Sequence, residues 1–325
     1  LARIIRLAYV DPIDKTGPDS HMKVTKHHIA SRQAWLAMRT QDLTASDVAA
    51  ARGRSPFKTQ LALYAEKAGL IDPPPLGPIA RRGLWFEPAV VEAVKDEHPD
   101  WELVPREEAY YRAPEFRLGA TPDRLCYIED KPVNLQLKVV AKPEHDKHWE
   151  HGVPFHYQLQ ATCEAMLVDA AYSMVAALVV NTYSADLYTY KVSRHPGAED
   201  AIRRTALAFW RNIEHGVRPA AQDASDAAIL QKLYPDSQAD PVLDLSGNNR
   251  LPGLLEQRVA LKATEKAARA QIEAIDTEIK DALDAHSQAS LPGWKISWPT
   301  IHVAEKIIPA TSFRRLTVTK LKDDD

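Results

Sequence analysis

Apolar residues first recur at helical spacing along this chain. From Ile29 to about Gly53 they predict a helical segment, with caps at Thr44 and Ser46 before "ASDVAAARG" and with Gly53 closing it. A second helix is predicted over 56–68. The Pro-rich "LIDPPPLGP" (70–78) then reads as a connector. Over 79–98, "IARRGLWFEPAVVEAVKDEH" predicts a further helix, in which Pro88 sets a kink or the first turn of the main helix. After Trp101 the period changes to two. "WELVP", "EEAYYRA", "FRLGATPD", "RLCYIED" and "NLQLKVVA" are short β-rich runs separated by turn residues. Helical spacing returns over 154–170, strands follow at 172–180 and 185–192, and "GAEDAIRRTALAFWRNIEHG" closes the unit near Gly216. This order predicts an α/β or α+β fold, a mixed sheet flanked by helices.

Residues 218–250 are rich in Ala, Asp, Ser and Pro and read as a linker with room for one short helix. The charged run over 254–286 carries Leu, Val and Ile near heptad spacing, which predicts a long helix in a hairpin or coiled coil. "GWKISWPTIHV" and "FRRLTVT" alternate as strands do. "GPDSHM" at 17–22 resembles a protease-site remnant followed by cloning residues, so the native start is expected at Met22. The expected organisation is 1–21 tag, 22–217 core, 218–250 linker and 251–325 a C-terminal helical and β appendage.

Composition changes this picture little. The 45% hydrophobic and 26% charged residues are ordinary for a globular protein. A net charge of −3 gives no global case for nucleic acid, yet a basic groove can coexist with an acidic exterior. Two cysteines are too few for a disulfide framework, which points to a reducing compartment such as the cytoplasm. No apolar run reaches membrane-spanning length, so no membrane partner is expected.

The candidate chemistry lies in "GATPDRLCYIEDKPVNLQLKVV" (119–140). A strand period puts Gln136 and Lys138 on one face, roughly 6.8 Å apart, and Leu135, Leu137 and Val139 on the other. Asp123 opens the neighbouring strand and can aim a carboxylate at the same point. Carboxylates that hold Mg²⁺, with Mn²⁺ as a substitute, and a lysine beside an attacking water are what phosphodiester hydrolysis requires. A turn Asp with a solvent-facing Gln/Lys pair reads as well from so short a motif. Glu87 is a third acidic candidate, although an exposed helix carboxylate is its plainer reading. Tyr157 and Gln160 share a helix face. Arg39 and Ser46 flank a predicted helix start, a natural phosphate receptor. Arg52, Arg54 and Lys58 in "ARGRSPFK" fit DNA-backbone contacts or a solvated basic turn.

"WLAMRTQDLTASDVAAARG", "RRGLWFEPAVV", "GATPDRL", "LQLK" and "YQLQ" occur in the order of the sequence blocks of the lambda-exonuclease-like (YqaJ-type) viral recombinases, and over roughly 30–216 the chain resembles that family. The resemblance implies a PD-(D/E)xK, restriction-endonuclease-like core. It implies a 5′→3′ exonuclease on linear double-stranded DNA with a 5′-phosphate, encoded by a phage or prophage. Such enzymes form a ring-shaped homotrimer and work beside a single-strand annealing protein. Carried onto this chain, Asp123, Gln136, the Leu137 carbonyl and Glu87 would hold metal. Lys138 would position water, and Gln160 would follow the motif tyrosine, Tyr157. Arg39, Ser46 and Thr121 would hold the 5′-phosphate, with Thr121 in place of a serine.

The departure is Gln136, where the family has Glu. The expected reading is an engineered, inactivating Glu→Gln change, with a natural Gln-Xaa-Lys site as runner-up. A catalytically inactive DNA-end-binding module and an endonuclease or repair nuclease are the alternatives. His145, His148, His151 and His156 could suggest zinc, but no cysteine lies nearby and structural or phosphate-contact roles are favoured. His27 and His28 read as a surface pair.

Overall fold

The computed structural model describes residues 22–221, 223–237, 242–305, 310 and 313–319, so the tag-like segment 1–21 lies outside the described residues. The chain divides into two compact units, 1–233 and 234–325. In the first, β1 (Thr25–His28) and α1 (Arg32–Gln41) precede β2 (Leu43–Thr44), α2 (Val48–Ala51), α3 (Gln60–Lys67) and α4 (Pro78–Glu97). Then come β3 (Glu102–Leu103), β4 (Ala109–Ala113), β5 (Leu118–Ala120), β6 (Arg124–Ile128) and β7 (Lys131–Ala141). The unit continues with α5 (Lys142–His148), α6 (Phe155–Leu167), β8 (Tyr172–Val180), β9 (Ala185–Ser193), α7 (Pro196–Glu214) and α8 (Asp226–Leu233).

The expected α/β architecture is present. The main sheet has the order β3-β6-β7-β8-β9, mixed in direction because β7 and β8 run parallel while the other pairs are antiparallel. A parallel pair needs a crossover, and α5 and α6 supply it. Alternation along β7 divides its two faces. Val133, Leu135 and Leu137 pack under Val90, Val91 and Val94 of α4. Asn134 and Gln136 face α6, where Asn134 bonds Glu164. A second sheet, β1-β4-β5-β2, lies across α6 and α7 and shares a core with them.

Local chemistry explains where the expected elements shift. The helix expected over 29–53 is broken at Asp42, whose extended backbone leads into β2. A new turn then starts at Thr44, whose hydroxyl bonds Asp47 at 2.7 Å. Tertiary pairing of β2 with β5 overrides the local helical spacing. The second helix begins at Gln60 rather than 56, because the Thr59 hydroxyl caps it by accepting from the Ala62 N–H. Pro88 lies inside α4. The histidine-bearing loop after β7 is partly a short helix, α5. Within the expected linker, α8 belongs to the first unit and is held there by Thr59 donating to Asp226 at 2.6 Å.

Two backbone features matter for the site. Glu129 and Asp130 both have positive φ, at 50° and 57°, and join β6 to β7 in a two-residue hairpin of the type I′ kind. Gly119 is required for packing, because a Cβ there would lie 1.9 Å from the Tyr110 hydroxyl.

The second unit contains α9 (Leu251–Leu283) and the hairpin β10 (Gln288–Leu291)–β11 (Trp294–Ser297). Leu283 is the buried residue of α9, while Leu261, Ile272 and Ile275 are exposed. "FRRLTVT", expected as a strand, has no strand conformation over 313–319. Alternation alone does not make a strand without a paired edge.

Candidate functional site

The hairpin sets the geometry. Its register pairs Arg124 with Leu135, and one step further places Asp123 opposite Gln136. The Asp123 carboxylate accepts the Leu137 backbone N–H at 2.9 Å, which fixes it at the middle of β7. Lys138 lies on the same strand face as Gln136, with its ammonium 5.1 Å from the centre of the Tyr157 ring. Asp123, Gln136, Lys138 and Tyr157 are therefore brought together.

Gln136 is not a solvent-facing residue but is fully buried. Its Nε2 donates to Glu164 at 3.4 Å, while its Oε1 is buried without a partner. Glu164 lies on α6 and is also buried. Its Oε2 accepts from Asn134 at 3.1 Å, and its Oε1 accepts from Gln160 at 2.8 Å. Three side-chain amides thus surround one carboxylate. Burial pushes the Glu164 acid up to about 7, and the negative charge of Asp123 adds to this. Lys138 and the amides of Gln160 and Asn134 pull in the opposite direction. Asn134 also donates to Ser173 at 2.9 Å, and Ser173 in turn donates to the Ala161 carbonyl.

Glu87 occupies a different corner. Its carboxylate accepts from Arg106 at 2.9 Å and from Arg124 at 3.3 Å. Burial raises its acid, the Arg106 and Arg124 charges oppose that shift, and nearby Asp123 reinforces it. Gln160 bonds Glu164 rather than projecting freely.

A hydroxyl and guanidinium corner adjoins the start of this loop. Arg39 donates to the Ser46 hydroxyl at 3.4 Å and lies 4.6 Å from the Trp35 ring. Trp35 Nε1 donates to the Thr121 hydroxyl at 2.9 Å. Arg39, Ser46 and Thr121 are thus gathered around Trp35, two residues before Asp123. The frame behind them is charged. Asp47 pairs with Lys67 at 2.9 Å and Lys58 at 4.0 Å. Burial alone would raise the Asp47 acid, but Lys67, Lys58 and Arg39 outweigh it and hold it at about 2.

The basic turn is largely committed within the fold. Arg52 donates to the Ala201 carbonyl and the Thr205 hydroxyl, and Lys58 pairs with Glu66 at 2.5 Å. Arg54 is exposed. The histidines are dispersed. His145 bonds Tyr190 at 2.8 Å, His148 lies 3.9 Å from Glu144, and His156 meets Phe57 edge to face and Tyr157 at a tilt. His27 and His28 are exposed on β1.

Among the described residues, no three His, Cys, Asp or Glu side chains are gathered to hold a metal ion. The donors at β7 are mixed instead: carboxylates from Asp123 and Glu164, the Gln136 amide oxygen and the Leu137 carbonyl. All are oxygens, the donor type that suits Mg²⁺. The unpartnered, buried Gln136 Oε1 is an acceptor that a cation would satisfy. The residues therefore fit a divalent ion.

Three residues here were not singled out from the sequence: Glu164, Asn134 and Trp35. Each had a spacing signal. Glu164 follows Gln160 by one helical turn, Asn134 shares the strand face of Gln136, and Trp35 precedes Arg39 by one turn.

Residues 34–170 match the family model of the YqaJ-like viral recombinase domain. The uncharacterized protein YqaJ of Bacillus subtilis (strain 168) is 22% identical over 320 residues, covering 92% of this chain and 97% of its own. Among solved structures, an alkaline exonuclease from Laribacter hongkongensis matches with a TM-score of 0.48 and 18% identity, covering 57% of this chain and 93% of that one. A phage-related exonuclease from Haemophilus somnus 129PT matches with a TM-score of 0.37 and 9% identity, covering 54% and 95% of the two chains.

Proposed function

Because residues 34–170 carry a YqaJ-like viral recombinase domain, we propose that this chain is a metal-dependent deoxyribonuclease that degrades linear duplex DNA from a 5′-phosphorylated end. The observation that supports it most directly is the convergence of Asp123, Gln136 and Lys138 on one pocket of oxygen donors, fixed by the Leu137 N–H bond to Asp123.

A bound Mg²⁺ or Mn²⁺ would lower the pKa of water and neutralise charge on the phosphate. Asp123, the Gln136 amide oxygen and the Leu137 carbonyl are the groups to hold it. Lys138, steadied against Tyr157, orients the attacking water and faces the charge that develops on the phosphoryl oxygens. Gln160 acts through the carboxylate it bonds, and Glu87 contributes once Arg124 turns to the DNA. Arg39, Ser46 and Thr121 receive the terminal 5′-phosphate, which sets direction. Arg54 touches the backbone beyond them, and Arg52 and Lys58 contribute only by leaving their internal partners. A homotrimeric ring would keep the chain on its duplex, and a single-strand annealing protein would take up the exposed strand. Both follow from the family resemblance.

The test is digestion of linear 5′-phosphorylated duplex in Mg²⁺, with 5′-hydroxyl and covalently closed circular duplexes beside it. Degradation of the phosphorylated linear form with the circle untouched is expected, and Asp123→Ala abolishes it while the fold persists. Cleavage of the circle would make the chain an endonuclease. Salt-dependent end binding without cleavage by this chain or by Gln136→Glu would leave an end-binding module.

A further inference from the structure

The sequence poses a question that the neighbourhood of Gln136 answers. A divalent ion on β7 needs negative charge, and a Gln in that place removes one carboxylate. The structure supplies another carboxylate to the same pocket. Glu164 reaches from α6 to within 3.4 Å of the Gln136 amide, on the strand face that also carries Lys138. It is 2% exposed, and no arginine or lysine makes an ion pair with it among the described residues. A buried carboxylate normally has a cationic partner, because an isolated buried charge is costly. Here the amides of Asn134, Gln136 and Gln160 bond it, and Lys138 is the nearby cation that favours its ionised form without an ion pair to it. Amide donors satisfy lone pairs but bring no positive charge. Two acceptor oxygens beside it, Gln136 Oε1 and Asn134 Oδ1, are buried with nothing to accept from. Two carboxylates, those of Asp123 and Glu164, facing Lys138 beside orphaned acceptors are the features that a cation corrects.

We propose that Glu164 provides the metal-holding carboxylate that position 136 lacks, so that Gln136 is a working residue of a relocated site rather than a disabled one. This rests on the metal-dependent reading above and deepens it. The charge has moved from β7 to the facing turn of α6, while Gln136 contributes its amide oxygen. The backbone accommodates the exchange because α6 crosses directly over β7 and β8, so the two positions reach the same point from opposite sides.

The experiment measures Mn²⁺ binding by calorimetry, without DNA, in the full chain and three variants: Glu164→Gln, Gln136→Glu, and the double exchange Gln136→Glu with Glu164→Gln. Thermal unfolding without metal controls for folding. Glu164→Gln is nearly isosteric, and Gln160 can rotate its amide to accept from the new side chain. The unaltered chain is expected to bind Mn²⁺, and Glu164→Gln to bind ~100-fold more weakly. The double exchange, which returns the charge to the strand, is expected to regain most of that loss. Unchanged affinity in Glu164→Gln overturns the proposal. So does binding that appears only when Gln136 becomes Glu, an outcome that preserves the nuclease reading with a disarmed site. No binding by any of the four chains, with all of them folded, overturns the metal-dependent reading itself.

Discussion

Two glutamates stand near Asp123, one at each side of the sheet, and they differ in what surrounds them. Glu87 on α4 meets two guanidinium groups, those of Arg106 and Arg124. Glu164 on α6 meets three amides. The first carboxylate is already compensated, and its pair spans a partly exposed rim where ion pairs contribute little net free energy. The second is buried and in no ion pair among the described residues, with Lys138 acting on it only from nearby, and on the proposed reading a cation is its partner. The family resemblance put Glu87 among the metal-holding residues, although an exposed helix carboxylate was its plainer reading. On the proposal above, what separates the two glutamates is the charge of their neighbours rather than proximity to Asp123.

The largest expected difference between the two corners is catalytic. Glu164→Gln should lower Mg²⁺-dependent cleavage of linear duplex ~100-fold or more, while Glu87→Gln should lower it ~10-fold or less. Equal losses would erase the distinction drawn between them. Stability with pH sharpens it next. The folded acid of Glu164 is raised to about 7 from an unfolded value near 4.5. Below the unfolded value both states are protonated, and burial of this group has no ionisation penalty. As pH rises through the window between the two values, the unfolded chain releases its proton first and stability falls. Metal-free protein should therefore lose stability from about pH 5 to 7, and Glu164→Gln should remove that slope, melting a few degrees higher at pH 8. Burial also raises the Glu87 acid against its two arginines, so that group contributes with the same sign, and Glu87→Gln should leave the Glu164 part of the slope in place. A flat profile in the unaltered chain would contradict the buried, unpaired state of Glu164.

Much of this arrangement was legible beforehand. Alternation along 135–139 located β7, and Asp123 and Lys138, singled out from the sequence, do come together there. Arg39, Ser46 and Thr121 do share a corner. What the sequence did not disclose was the partner supplied by another element. Glu164 sits in "ATCEAML", an apolar run in which a lone Glu signals nothing by itself. Its importance comes from α6 crossing β7, a tertiary fact. The break at Asp42 was likewise hidden, because it depends on Arg112 and Tyr110 receiving that carboxylate from a strand ~70 positions away. The internal partners of the basic turn were hidden for the same reason, since those of Arg52 and Lys58 lie on α7 and α3.

The smallest expected effect concerns the phosphate corner, away from both glutamates. Trp35→Phe deletes the N–H donated to Thr121 and should weaken use of a 5′-phosphorylated end ~5-fold, the worth of about 1 kcal/mol. The change should appear in KM, with cleavage of a 5′-hydroxyl end unaffected. An equal loss on both ends would assign Trp35 to packing.

The central claim is that a chain carrying Gln136 works through Glu164. Its most direct test is the release of nucleotides from linear 5′-phosphorylated duplex in Mg²⁺ by the unaltered chain and by Glu164→Gln, both verified as folded. The account predicts cleavage by the first and nearly none by the second. Equal cleavage by both, or cleavage only after Gln136→Glu, would contradict it.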